Sequence, residues 1–364
     1  MNAAAARAGA VLTIDTGAVV ANWRALRDRV RPADCAAVLK ADAYGLGAAR
    51  IGPALAAAGC RWFFVAHLDE GLALKPLLPA GAMVCVLNGL PPGAEPECEV
   101  AALTPVLNSL PQVAAWAGLA RRLGRRLPAV LQLDSGMARL GLDAGETDRL
   151  SANPALLDGV DLALVMSHLA CADDPADPAS EAQRARFAAD RARLPTAPAS
   201  LANSPGIFLG PAFHLDLARP GAALYGLAPT RPNPMRPVAR LQGRVIRTHA
   251  AAAGQGVGYG LDWRAPAPTR IATVSVGYAD GWLRSLGPRG AAWLGETRLP
   301  LAGRVSMDLI TLDVGALPEG ALGPGDLVDL IGPMQDADAV AEAAGTIGYE
   351  VLTALGSRYA RVYV

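Results

Sequence analysis

The segment Ala36-Ala37-Val38-Leu39-Lys40-Ala41-Asp42-Ala43-Tyr44-Gly45-Leu46-Gly47 puts a primary amine where a short apolar run gives way to glycines. Such a run reads as a buried strand that stops at a turn. Lys40 then falls at the carboxyl end of a strand, the side on which parallel α/β sheets carry their chemistry. The chain has 33 basic residues but only two lysines, Lys40 and Lys75. Where arginine so dominates, a lysine here points to an amine that must lose its proton, which a guanidinium does not do. The alternative is a rim lysine with its stem on apolar surface and its ammonium in water. The Gly-rich stretch Gly254 to Gly260 suggests a dinucleotide loop, but no strand–helix unit surrounds it and no acidic residue follows at the required distance.

The elements that must position such an amine are legible in outline. Strand candidates are Ala36–Lys40, Trp62–Ala66, Met83–Leu87, Thr104–Leu107, Ala129–Leu133, Leu162–Ser167, Ala199–Ala202 and Ala222–Tyr225. Segments of helical period lie between them, among them Leu110–Leu123, with Asn108 or Ser109 as N-cap and Gly124 past its end, and Glu181–Leu194. Eight alternations predict a (β/α)8 barrel over residues 1–232, the rival being an open doubly wound sheet. The Pro-rich stretch 229–237 marks a boundary. Beyond it, over residues 233–364, the short runs Ile271–Val276, Arg298–Leu301, Ile310–Val314 and Leu327–Ile331 predict a mainly-β domain with one helix near Asp336–Ala344. Val11–Ile14 has no place in the barrel count and is expected to pair with this second domain.

Composition narrows the class. With 52% hydrophobic and 18% charged residues over 364 positions, the chain can bury a large core. A formal net charge of zero and the lack of arginine runs interleaved with aromatics argue against nucleic acid. Five scattered cysteines without CxxC spacing point to reduced thiols in the cytoplasm and to no metal centre. Asp15 interrupts the apolar texture after the Ala-rich start, so neither a signal peptide nor a membrane span is expected.

Several motifs in sequence order resemble the barrel-type alanine racemases, which depend on pyridoxal 5'-phosphate (PLP). After the lysine segment come Asp134-Ser135-Gly136-Met137-Ala138-Arg139-Leu140-Gly141, Met166-Ser167-His168-Leu169-Ala170, Ala202-Asn203-Ser204 and Arg219-Pro220-Gly221. Then follow Val257-Gly258-Tyr259-Gly260, Gly277-Tyr278-Ala279-Asp280-Gly281, Gly303-Arg304-Val305-Ser306-Met307-Asp308 and Thr346-Ile347-Gly348-Tyr349-Glu350. The resemblance implies interconversion of L- and D-alanine by two bases, Lys40 on one face of the substrate and Tyr259 of the partner subunit in a homodimer on the other. It gives Lys40 the covalent bond to the cofactor aldehyde, which only a primary amine can form and exchange. It puts Ser204, Tyr349, Tyr44 and the backbone N–H groups near Gly221 and Ala222 on the phosphate, with Asn203 beside them, and His168 against the pyridine ring.

The resemblance sets Arg219 at the pyridine nitrogen. An arginine there can only donate, so less of the charge developing at the substrate Cα is drawn into the ring, and reprotonation at Cα is favoured over transamination. Arg139 and the Met307 backbone N–H are implied to hold the substrate carboxylate, and Tyr278 and Asp173 to line the entrance. His67, His214 and His249 fall in none of these motifs and are read as structural. Two positions depart from the family pattern. Ser200 stands where a histidine is usual, and Gln132 where many members carry a carbamylated lysine. Glutamine cannot neutralise Arg139, so a chloride near Gln132 and Arg139 is expected, or a more mobile arginine.

Three rival readings share part of this pattern. A barrel-type PLP decarboxylase shares the plan but not the arginine at the nitrogen or the Tyr259 segment. A PLP carrier without turnover resembles a barrel alone. A serine or broader-specificity racemase keeps the reaction and changes the substrate. The product D-alanine points to cell-wall precursor synthesis, or to catabolism in the reverse direction.

Overall fold

The computed structural model describes residues 3–364, and its contacts divide the chain into two units. The first in sequence weight, residues 19–43 and 47–236, is the barrel unit; the other joins residues 44–46, 237–364 and those up to 18.

In the barrel unit the strands Ala37–Val38, Trp62–Val65, Met83–Val86, Thr104–Leu107, Leu127–Gln132, Val160–Met166 and Ala199–Ser200 lie side by side in sequence order, all parallel. Leu217–Ala218 pairs in parallel with Asp34–Cys35, and Val38 N–H also donates to Pro220 O at 3.0 Å. On its other side, Asp216 N–H donates to Ala199 O and Arg219 N–H to Ala202 O. The ring therefore closes through the segment that ends in Arg219. Strands such as Met83–Val86 and Thr104–Leu107 are apolar almost throughout, as strands covered on both faces must be. Ala222–Tyr225, expected as the eighth strand, is instead a 3-10 turn. Its four apolar side chains are buried, but Gly221 and the left-handed Gly226 bound it too tightly for a strand. The true closing strand has two residues and leaves no periodicity to read.

Helix bounds follow their caps. Leu110–Leu123 starts after Ser109 and stops at Gly124, whose φ is 64°. The expected helix Glu181–Leu194 runs Ala179–Arg191.

The β unit is built on Ala239–Ala251, thirteen residues long and paired antiparallel with Ala10–Ile14, Leu327–Ile331 and Thr269–Val274 at different points. Ile310–Asp313 extends Thr269–Val274, and Ala291–Leu294 with Thr297–Pro300 extends Leu327–Ile331. Ala360–Tyr363 pairs in parallel with Ala10–Ile14. Asp336 caps the helix Ala337–Ala344 through Ala339 N–H at 2.8 Å. No helix among the described residues is long and apolar enough to cross a membrane.

Candidate functional site

Lys40 stands just past Ala37–Val38, where Leu39 N–H still donates to Phe64 O at 2.7 Å. The next four residues, Ala41, Asp42, Ala43 and Tyr44, have φ of 53°, 52°, 55° and 56°. Left-handed backbone costs an L-residue about 1–2 kcal/mol each, so four in a row must be held from outside. Ala43 N–H donates to Leu39 O, Gly47 N–H to Asp42 O and Ala48 N–H to Asp42 Oδ1, each at 2.8 Å. Ala41 N–H donates to Glu70 Oε1 at 2.6 Å. Gly45 follows at φ 80°, where a Cβ would sit 2.5 Å from Leu352 O, so no other residue fits.

Around Lys40 the barrel unit gathers positive charge. Burial and the Arg139 guanidinium hold the Lys40 ammonium below its usual range, with Glu70 acting against them. His168, two residues past Val160–Met166, is pushed down to about 3 by burial and by Arg219, Arg139 and Lys40, so it is neutral at physiological pH. Arg219 is 4% exposed and burial lowers it to about 10, still cationic near neutrality. Its guanidinium donates to neutral oxygens, Ser200 Oγ and, at 2.6 Å, Ser167 O. Ser200 in turn donates to Leu217 O at 2.5 Å. No acidic side chain among the described residues forms an ion pair with Arg219. A buried cation in this state accepts an electron-rich ligand atom at little further desolvation.

Arg139 is exposed at the end of the turn 134–139. Asp134 Oδ1 accepts from Gly136 and Met137 at 2.9 Å and Ala138 at 3.1 Å. Burial raises the Asp134 pKa, but these N–H bonds outweigh it and leave the carboxylate below its usual range. Gly141, at φ 106°, lets the returning chain pass where a Cβ would lie 2.6 Å from the Leu133 carbonyl carbon. Gln132 is buried and its Nε2 donates to Leu140 O at 3.1 Å. Ser204 Oγ accepts from Gly221 N–H at 3.0 Å and Ala223 N–H at 3.2 Å, at the start of the turn Ala222–Tyr225. Asn203 Oδ1 accepts from Gly206 N–H at 3.0 Å. Asp173 lies exposed nearby in sequence to His168 but with no bond to it. His214, read as structural, is buried with its Nε2 bonded to Ile207 O at 2.9 Å.

Within the β unit, Tyr44 and Tyr349 meet with ring centroids 6.0 Å apart. Burial first, and then Tyr349, push the Tyr44 phenol up. Tyr259 is 72% exposed between Gly258 and Gly260, beside the Arg304–Asp262 ion pair. Tyr278 and Met307 are exposed on facing loops: Tyr278 N–H donates to Ser306 O and Ala279 N–H to Met307 O. Arg358 ties these loops together by bonding Asp280 and Asp308.

Sequence reasoning missed the residues that support the site. Gln183 Nε2 donates to His168 O and its Oε1 accepts from Ala170 N–H, which clamps the His168 segment from a helix. Ser135 and Ser167 share a buried bond of 2.6 Å. Only the near-complete burial of polar residues betrays these roles, and burial of a single glutamine is not a sequence signal.

The family model for the alanine racemase N-terminal domain matches residues 14–229, and the one for the C-terminal domain matches residues 238–363. The chain is 54% identical to the catabolic alanine racemase of Mesorhizobium japonicum, covering 99% of this chain and 94% of that protein. It is 54% identical to the alanine racemase of Brucella canis, over 98% and 94%. Among solved structures it superposes on the alanine racemase of Bartonella henselae, which carries covalently bound pyridoxal phosphate, with TM-score 0.95 and 42% identity over 98% and 100%. The biosynthetic alanine racemase of Pseudomonas aeruginosa gives TM-score 0.90 and 35% identity over 98% and 99%.

Proposed function

Since the chain belongs to the alanine racemase family, we propose that it interconverts L- and D-alanine as a PLP-dependent isomerase. The observation that carries this reading is the buried Arg219, bonded only to neutral oxygens beside a neutral His168 and a Lys40 whose proton is loosely held. That donor set fits the cofactor: a cation to give a hydrogen bond to an unprotonated ring nitrogen, a neutral imidazole to lie against the ring, and an amine free to bond its aldehyde. Ser204 with the N–H groups of Gly221 and Ala222 would hold its phosphate, with Asn203, Tyr44 and Tyr349 as further contacts. Bound PLP supplies the electron withdrawal that acidifies the substrate Cα–H.

The rest of the work falls to the chain. Lys40, its ammonium held below the usual range by burial and by Arg139 against Glu70, takes or returns the Cα proton on one face. Tyr259 of the partner subunit in a homodimer does so on the other. Arg139 and the Met307 N–H orient the substrate carboxylate, and Tyr278 and Asp173 line the way in. Since Gln132 gives its N–H to Leu140 O, it brings no charge to Arg139. A chloride between them is the proposed counter-ion. All five cysteines are free, which supports a reducing, cytoplasmic setting. There D-alanine feeds cell-wall precursors or is consumed by catabolism.

The test is a racemisation assay on L-alanine, D-alanine and L-serine with and without PLP, followed by borohydride reduction and peptide mapping. PLP-dependent turnover of alanine with label on Lys40 is expected. Label on Lys75, or no turnover of alanine, overturns the reading.

A further inference from the structure

The capping of the helix Leu68–Leu74 accounts for half of what Glu70 does. Its Oε2 accepts from Ala66 N–H at 2.7 Å and from His67 N–H at 3.1 Å, which closes the first turn of that helix. Its Oε1 turns to the segment that follows a neighbouring strand and accepts from Ala41 N–H at 2.6 Å, 29 residues away. The strands Ala37–Val38 and Trp62–Val65 are hydrogen-bonded neighbours, so one carboxylate bridges the ends of both. The bond to Ala41 falls on the first residue of the left-handed run that follows Lys40.

We propose that Glu70 is the positioning residue of the Lys40 amine: its carboxylate fixes the strained turn that carries Lys40 and sets a negative charge against it. The inference rests on Lys40 being the amine that bonds PLP. A carboxylate suits the place because three N–H donors converge on two acceptor oxygens. Glutamine offers one such oxygen and would aim an N–H at a donor. The bonds are charge-assisted, stronger than those to a neutral carbonyl. Among the described residues, Arg139 on the loop after Leu127–Gln132 acts on the charge of the amine, and the amine acts on His168 after Val160–Met166. Of these, burial and Arg139 favour the neutral amine, and Glu70 favours the protonated one.

The experiment uses the PLP-loaded enzyme and reads the visible absorbance of the bound cofactor against pH, without substrate. Taking away a negative charge disfavours the protonated form, so Glu70→Gln lowers the midpoint by about half a unit or more. Glu70→Asp keeps the charge and stays nearer the parent. Hydrogen exchange by mass spectrometry on the parent protein is expected to find the Ala41 amide protected. In Glu70→Gln that amide exchanges about tenfold faster, the scale of one lost charge-assisted bond.

An unchanged midpoint in Glu70→Gln overturns the proposal and leaves Glu70 as a helix cap. An Ala41 amide that exchanges freely in the parent protein overturns it even if the glutamine variant does not fold. Borohydride labelling of the parent separates the two readings. Label away from Lys40 removes the premise, whereas label on Lys40 with a free Ala41 amide removes the clamp alone.

Discussion

His168 offers a measurable link between the charge of the site and the stability of the barrel unit. In the cofactor-free protein its pKa is held at about 3, against 6.5 for a free imidazole. Between these values an unfolded chain binds a proton at this residue and the folded chain does not. Stability therefore falls as pH falls through that window, by about 1.36 kcal/mol per unit. From about pH 8 to about pH 5 the loss integrates to roughly 2 kcal/mol, since the first unit and a half contributes little. His168→Gln carries no titrating group and removes this slope while keeping polar atoms in the space. Urea unfolding of both proteins at each pH gives the comparison, and the carboxylates common to both cancel in the difference. With two units, the transition to follow is the one whose midpoint the substitution moves. The parent should lose about 2 kcal/mol relative to the variant on acidification. Parallel curves, with the difference constant to within about 0.5 kcal/mol, would refute the reading that burial, and then the nearby cations, keep this imidazole neutral.

Ser200→Ala takes one acceptor from the buried Arg219 and the donor from Leu217 O, so it should cost about 2–4 kcal/mol of unfolding free energy; a loss under about 0.5 kcal/mol would show that Arg219 is held by other means. Tyr259→Phe should slow proton removal from one enantiomer by about 10²–10⁴-fold while binding changes little, measured by deuterium wash-in from solvent, and equal loss from both enantiomers would count against a one-faced base. Activity should be insensitive to bicarbonate and responsive to chloride, because Gln132 cannot be carbamylated. Bicarbonate activation lost in Gln132→Leu would contradict this.

Chemistry was more legible than backbone. Lys40 stands out by residue type, whereas Arg219 and His168 were marked only by the motifs that resemble the family; those motifs are short because each is a strand end followed by a constrained turn. What holds them was hidden. Glu70, Gln183 and Ser167 reach the site from other elements, and no local pattern distinguishes a glutamate that bonds Ala41 from one that only caps its helix. Four of the barrel's strand segments have two residues each, below the length at which alternation can be seen; Ala37–Val38 and Ala199–Ser200 lay within longer apolar runs, whereas Asp34–Cys35 and Leu217–Ala218 were missed. Ala239–Ala251 escaped for the opposite reason. Buried Leu241, Gly243 and Val245 alternate with polar residues, so it never forms the apolar run by which the other strands were found. Gly45 and Gly47 announced a turn, but nothing in the types of Ala41, Asp42, Ala43 and Tyr44 announced that all four would be left-handed.

The neighbour relation of Ala10–Ile14 and Ala360–Tyr363 also sets a schedule for biosynthesis. Thr16 Oγ1 reaches the Val364 carbonyl at 2.7 Å across 348 residues of chain, and the parallel register Val11 to Ala360 spans nearly as far. A ribosome working at about 5–20 residues per second releases Ala360–Tyr363 roughly 20–70 seconds after Ala10–Ile14. The barrel segments emerge in between, in the order in which they pair, and can close as they appear. Until Ala239–Ala251 emerges, roughly 10–45 seconds after it, the strand Ala10–Ile14, mostly buried in the finished sheet, has neither of its partners, and it lacks Ala360–Tyr363 for longer still. It is an open edge of the kind that invites wrong pairing. One side of that strand stays unpaired until the end of the chain has been made.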